Sequence, residues 1–137
     1  MEKITVKVTL HAPLEKVWQY FTLSQHITKW YFASDDWHAP RAENDLRIGG
    51  KFFTRMEAKD GSFGFDFEGV YETIKLNEEI AFGLEDGRKV IISFSTEGSN
   101  TIVTESFDTE NINPIEMQQQ GWQAILDNFK KYILEEI

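Results

Sequence analysis

"INPIEMQQQGWQAILDNFKKYILEEI", residues 112 to 137, reads as one long amphipathic helix, and such a helix needs an apolar surface to cover. Its start is well signalled. Asn113 suits the N-cap, Pro114 the first helical position, and Glu116 the place from which a capping box reaches back. Ile112 and Met117 occupy the two staple positions. Running to about residue 135, the helix would span about 34 Å. Trp122, Ile125, Leu126, Phe129, Tyr132 and Ile133 form its apolar stripe, with Asp127, Lys130, Lys131 and Glu135 largely opposite. Gly121 interrupts this pattern at a cost of roughly 1 kcal/mol relative to alanine. The expectation is that it lets the backbone approach the sheet or a ligand closely, or bend locally.

The surface to be covered is legible upstream. "KITVKVTL" sets Ile4, Val6, Val8 and Leu10 against Lys3, Thr5, Lys7 and Thr9, the period of two of a half-buried strand. "APLEKVWQYF" then turns to helical spacing through Leu14, Val17, Trp18 and Phe21, with Pro13 in the first turn. Ser24 is expected to cap a second short helix carrying Ile27, Trp30 and Tyr31. Residues 33–45, "ASDDWHAPRAEND", are polar, hold Pro40 and lack a period, so a loop is expected.

From Leu46 the strand pattern returns. "LRIGGKFFTRME" puts Phe52, Thr54 and Met56 on one face, and Gly49-Gly50 signals a bulge or bend. "KDGS" at 59–62 is a hairpin turn, after which Phe63, Phe65 and Phe67 alternate with Gly64, Asp66 and Glu68. "EEIAFGL", "RKVIISFS" and "NTIVTESFD" follow across short turns. Five consecutive strands so joined imply an antiparallel meander, and with the first strand a six-stranded sheet. An apolar sheet face covered by one long helix is an α+β domain, expected to span residues 1–137 as a single unit.

Composition narrows the function. The net charge is −9, from 14 basic and 23 acidic residues, so phosphate backbones and anionic membrane surfaces are repelled and no nucleic acid partner is expected. There is no cysteine, which removes disulfides, thiolate chemistry and cysteine-held metal. "MEKITVKV" alternates and is not read as a signal peptide, and no apolar run reaches the roughly 20 residues of a membrane helix. A cytoplasmic protein with no membrane insertion is expected.

"APLEKVW", "DLRIGGKF", "GVYETI", "TIVTESFD" and "GWQAILDNFKKYI", in that order, resemble the bacterial AHSA-like family. That family is related to the C-terminal domain of heat shock protein 90 ATPase activators. It belongs to the START-like or SRPBCC superfamily, with the helix-grip fold of the birch-pollen allergen. The resemblance covers almost the whole chain. It implies a curved antiparallel sheet wrapped around the C-terminal helix, with an apolar cavity between them. Relatives bind lipids, polyketides or flavonoid-like aromatics there, and some are aromatases, cyclases or hydrolases. A chaperone partner is also implied, although the eukaryotic co-chaperones carry a separate N-terminal domain for which this chain has no room.

Such a cavity must be lined from inward positions on the strands and the last helix. The candidates are Trp30, Phe52, Met56, Phe65, Phe67, Tyr71, Ile92, Phe94, Val103, Glu105, Phe107, Met117, Trp122, Ile125, Leu126 and Phe129. Glu105 is the weak catalytic candidate. If Val103 and Phe107 face inward, so does Glu105, and desolvation would raise its pKa and fit it to orient a ligand or move a proton. Alternatively Ile102, Thr104 and Ser106 face inward, or Glu105 pairs with Arg55 or Lys89. "DDWH" offers Asp35, Asp36 and His38, but matches no metal-ligand spacing, and no metal or other cofactor is expected. No G-x-S-x-G elbow or phosphate loop is present.

The expected function is therefore binding of a hydrophobic or aromatic small molecule by a monomer or homodimer. The alternatives are a cyclase- or hydrolase-type enzyme using Glu105 and a co-chaperone-like interaction module.

Overall fold

The computed structural model describes residues 2–136. The elements in chain order are β1 (Lys3–Leu10), α1 (Leu14–Thr22), α2 (Ser24–Ile27), β2 (Trp37–Asn44), β3 (Lys51–Ala58), β4 (Gly64–Lys75), β5 (Glu79–Leu84), β6 (Lys89–Glu97), β7 (Asn100–Asp108) and α3 (Ile115–Glu136). All seven strands form one antiparallel sheet in the order β1-β7-β6-β5-β4-β3-β2. The first and last strands are neighbours, and α1 with α2 carries the chain from one edge of the sheet to the other. The sheet curves as a half-barrel around α3, which is the helix-grip arrangement.

The alternations expected in β1, β3 and β7 hold. Ile4, Val6, Val8 and Leu10 are buried, as are Thr54 and Met56, and as are Val103, Glu105 and Phe107. The register sets Glu105 between Val6 of β1 and Ile92 of β6, so both flanking strands present apolar side chains to it.

One strand was hidden. Residues 37–44 form β2 where a loop was expected, making seven strands rather than six. The reason is its place at the sheet edge. β2 pairs only with β3, its register slips between His38 and Arg41, and Pro40 sits in that slip, where a missing N–H breaks no ladder. Only Ala39 of the eight is buried, so the strand needs no apolar period. The turn before β3 is built on glycine: Gly49 has φ +84°, and a Cβ on Gly50 would collide with the Asp45 carbonyl.

The helix starts also differ from expectation. Pro13 and Leu23 take the N-cap positions of α1 and α2 without side-chain caps, and Ser24 is the first helical residue. Trp30 and Tyr31 lie just beyond α2. At α3 the box and the staple do not form. The side chain and the N–H of Asn113 both donate to Glu110, and Ile112 and Met117 stay exposed. Buried Gln118 ties the segment down instead. It accepts from the Glu110 N–H at 3.0 Å and donates to the carbonyls of Glu110 and Asn113 at 3.1 and 2.8 Å.

Candidate functional site

Between the concave face and α3 the packing is uneven. Under α1 and α2 the space is filled: Phe129 lies 5.3 Å from Phe21 and 4.6 Å from Trp30, ring centre to ring centre, and Phe94 packs on Trp18 and Phe21. Under the first half of α3 a cleft of about 300 Å³ remains. Its apolar walls are Met56 on β3, Phe65 and Phe67 on β4, and Met117, Trp122 and Ile125 on α3. That volume lies at the lower end of the range for small-molecule pockets. A second cavity of about 40 Å³, lined in part by Phe52, Tyr71 and Ile92, has room for water only. Tyr31 borders both.

The expected lining thus divides three ways. Met56, Phe65, Phe67, Glu105, Met117, Trp122 and Ile125 meet in the large cleft. Phe52, Tyr71 and Ile92 border the small cavity, where Tyr71 donates to Asn44 Oδ1 at 2.6 Å. Trp30, Phe94, Val103, Phe107, Leu126 and Phe129 line neither cavity; they are sealed in the core, which corrects their assignment as lining. For Trp30, Phe94 and Phe129 the reason is the cover that α1 and the segment around α2 lay over that end of the sheet, whereas Phe107 is covered by Trp122 of α3. Phe107 still acts on the cleft from behind, since the Trp122 ring stacks on it at 3.9 Å and 11°.

Glu105 faces into the cleft and is 5% exposed. Neither proposed ion pair forms. Arg55 bonds Glu57 and Asp66, and Lys89 bonds Glu72. Burial pushes the Glu105 carboxyl up to about 8, with no hydrogen-bonding or charged neighbour among the described residues offsetting it. At neutral pH it is a neutral acid with a proton to donate. Burial also raises Tyr31 well above the ordinary phenol range, and the nearby Glu105 charge adds to that rise.

Several lining residues were missed in the sequence. Tyr31 was read as part of a helix face, and Arg88 belongs to the β5–β6 turn, where it bonds Asp86 at 2.7 Å. Glu110, Asn113 and Gln118 form the rim at the start of α3. A signal existed in Gln118, a polar residue one turn before the apolar stripe. Gly121 also lines the cleft, but a Cβ there would meet nothing within 4 Å. The glycine is therefore not needed for helix and sheet to approach each other.

A family model described as "Activator of Hsp90 ATPase homolog 1-like protein" matches residues 11–133. The chain belongs to that family. An AHSA1-like protein from Aeromonas hydrophila is 39% identical, with 98% of this chain and 94% of that one covered and a TM-score of 0.92. A protein from Cytophaga hutchinsonii is 54% identical over 98% and 93% of the two chains, with a TM-score of 0.85. A Nitrosomonas europaea protein at 18% identity, covering 98% and 95%, shares the fold with a TM-score of 0.83. No curated protein matches the chain. In this AHSA1-like chain, no helix among the described residues is long and apolar enough to cross a membrane.

Proposed function

We propose that this AHSA1-like protein binds an apolar or aromatic small molecule in the cleft between the sheet and the first half of α3. The observation that carries the reading is the cleft itself: about 300 Å³ walled by Met56, Phe65, Phe67, Trp122 and Ile125, beside a buried acid with no partner among the described residues. An apolar wall gains by excluding water, and a few polar groups orient what enters. A ligand that binds only the folded state raises its melting temperature by mass action. A panel of fatty acids, flavonoids and polyketides should include compounds that do so, and native mass spectrometry should detect the bound mass. A panel without a single shift, together with a bare mass, refutes the proposal.

Glu105 favours a second reading. An acid titrating near 8 inside a cleft is suited to general acid–base work in a cyclase- or hydrolase-type reaction. In that case Glu105→Gln abolishes turnover of a bound substrate and leaves the fold intact. The family description supports a third, chaperone-binding role. It requires a saturable complex with the middle region of the chaperone at micromolar concentration.

A further inference from the structure

Two polar groups in the cleft make no side-chain hydrogen bond to any described residue. Glu105 is 95% buried by area, yet no hydrogen bond to a described residue engages its carboxyl. Tyr31 likewise has none on its hydroxyl, while its ring lies 5.9 Å from Phe67, at 27° between planes. The two come from distant parts of the chain, β7 and the segment after α2, and both face the same cleft. They are near enough for charge on Glu105 to raise the Tyr31 hydroxyl, yet they do not hydrogen-bond each other. Both groups therefore remain available to an acceptor atom of a ligand held in the cleft they line.

The other ionisable groups on the walls are engaged elsewhere. Arg88 is held by Asp86, whose carboxylate also takes the Arg88 N–H, and Glu110 accepts from the Asn113 backbone and side chain. Tyr71, beyond Tyr31, is committed to Asn44. Among the described residues no cationic group offsets the charge that Glu105 would carry. A buried carboxyl in that position keeps its proton and donates, as the phenol does.

We infer that Glu105 and Tyr31 form a two-donor recognition point that selects, among flat apolar ligands of the cleft, those carrying a carbonyl-type oxygen. The inference rests on the ligand-binding reading above and specifies its polar half. A carbonyl has two acceptor lone pairs and takes one donor from each side. A hydrocarbon of the same shape leaves both donors unpaired, which is the more costly mismatch. An ammonium group meets two donors and no acceptor charge.

Three naphthalene probes of matched size separate these cases: acetylnaphthalene with an acceptor oxygen, ethylnaphthalene with none, and aminomethylnaphthalene with a cation. Titration at about pH 6 should find the ketone about tenfold tighter than the hydrocarbon, the amine weakest, since a single good hydrogen-bonding site is worth about that factor. Raising the pH beyond about 8 should erase the ketone's advantage as Glu105 loses its proton, while ethylnaphthalene binds unchanged. Glu105→Gln, which keeps an N–H donor, should preserve the preference and remove its pH dependence. Tyr31→Phe should weaken the ketone about threefold and leave the pH dependence in place.

Equal affinity for ketone and hydrocarbon overturns the two-donor point and leaves the cleft as a ligand site. An amine that binds tightest, and is lost in Glu105→Gln, overturns it in favour of an anionic Glu105. Failure of all three probes to bind overturns this inference, while the cleft reading stands or falls with the ligand panel and the native mass.

Discussion

Along α3, Phe129 and Ile133 are wholly buried, whereas Trp122 and Ile125, up to two turns earlier, keep part of their surface open. Both stretches belong to one apolar stripe and face one sheet. The difference lies in what stands between them. Behind Phe129, α1 supplies Phe21 and the segment just after α2 supplies Trp30, which complete a packed aromatic cluster. Behind Trp122 there is Phe107 on one side and the cleft on the other. One end of the concave face is thus packed for stability, and the other is left open as a cleft.

The comparison breaks most visibly at Phe129. Phe129→Ala should cost about 3–5 kcal/mol in denaturant unfolding, because a sealed aromatic cluster cannot collapse around the void. A cost near that of a surface substitution would mean the two ends are packed alike.

Next in size is the pH dependence attached to Glu105. Its folded-state pKa of about 8 exceeds the ordinary 4.5, so between those values the folded protein binds more protons than the unfolded chain. Stability is then fully present below about pH 4.5 and falls as pH rises, at up to roughly 1.4 kcal/mol per unit, levelling off above about 8. Glu105→Gln should flatten that segment of the curve. An unchanged slope in the variant would assign the acid to a solvated position.

Trp122→Ala should cost less, about 1–2 kcal/mol, since the ring is part-exposed and loses mainly its stack on Phe107. Its larger effect should fall on apolar probe binding, measured by titration. If stability drops as far as in Phe129→Ala, the open end is part of the core.

Gly121→Ala is the smallest effect and has the opposite sign. With nothing within 4 Å of the new Cβ, the helix should gain up to about 1 kcal/mol. Ligand affinity should change at the same time, because the methyl enters the cleft wall. Stabilisation with unaltered affinity would show a wall the ligand does not touch.

These contrasts also explain what was legible from residues alone. Strict alternation in β1 and β7 follows from burial on one face; in β7 it tied Glu105 to the side of Val103 and Phe107 but left open which side faces inward, which the structure decides. β2 was opaque because an edge strand with Pro40 in a register slip obeys no such period. The division of aromatics between core and cleft was opaque for another reason. Phe94 and Phe67 look alike in a strand pattern, and only the placement of α1 and α2 over one of them seals it. The partners of Gln118 were equally out of reach, since a side chain returning to a preceding loop leaves no periodic trace.

The four tryptophans sample the comparison directly: Trp18 and Trp30 in the sealed end, Trp37 on the β2–β3 rim near Phe65, and Trp122 in the cleft. An NMR titration with acetylnaphthalene, following the four indole N–H signals, is the most direct test. The Trp122 signal should move most and saturate, with Trp18 and Trp30 nearly still. Saturable movement centred on Trp18 or Trp30, with Trp122 unmoved, would contradict the assignment of the ligand site to the open half of α3.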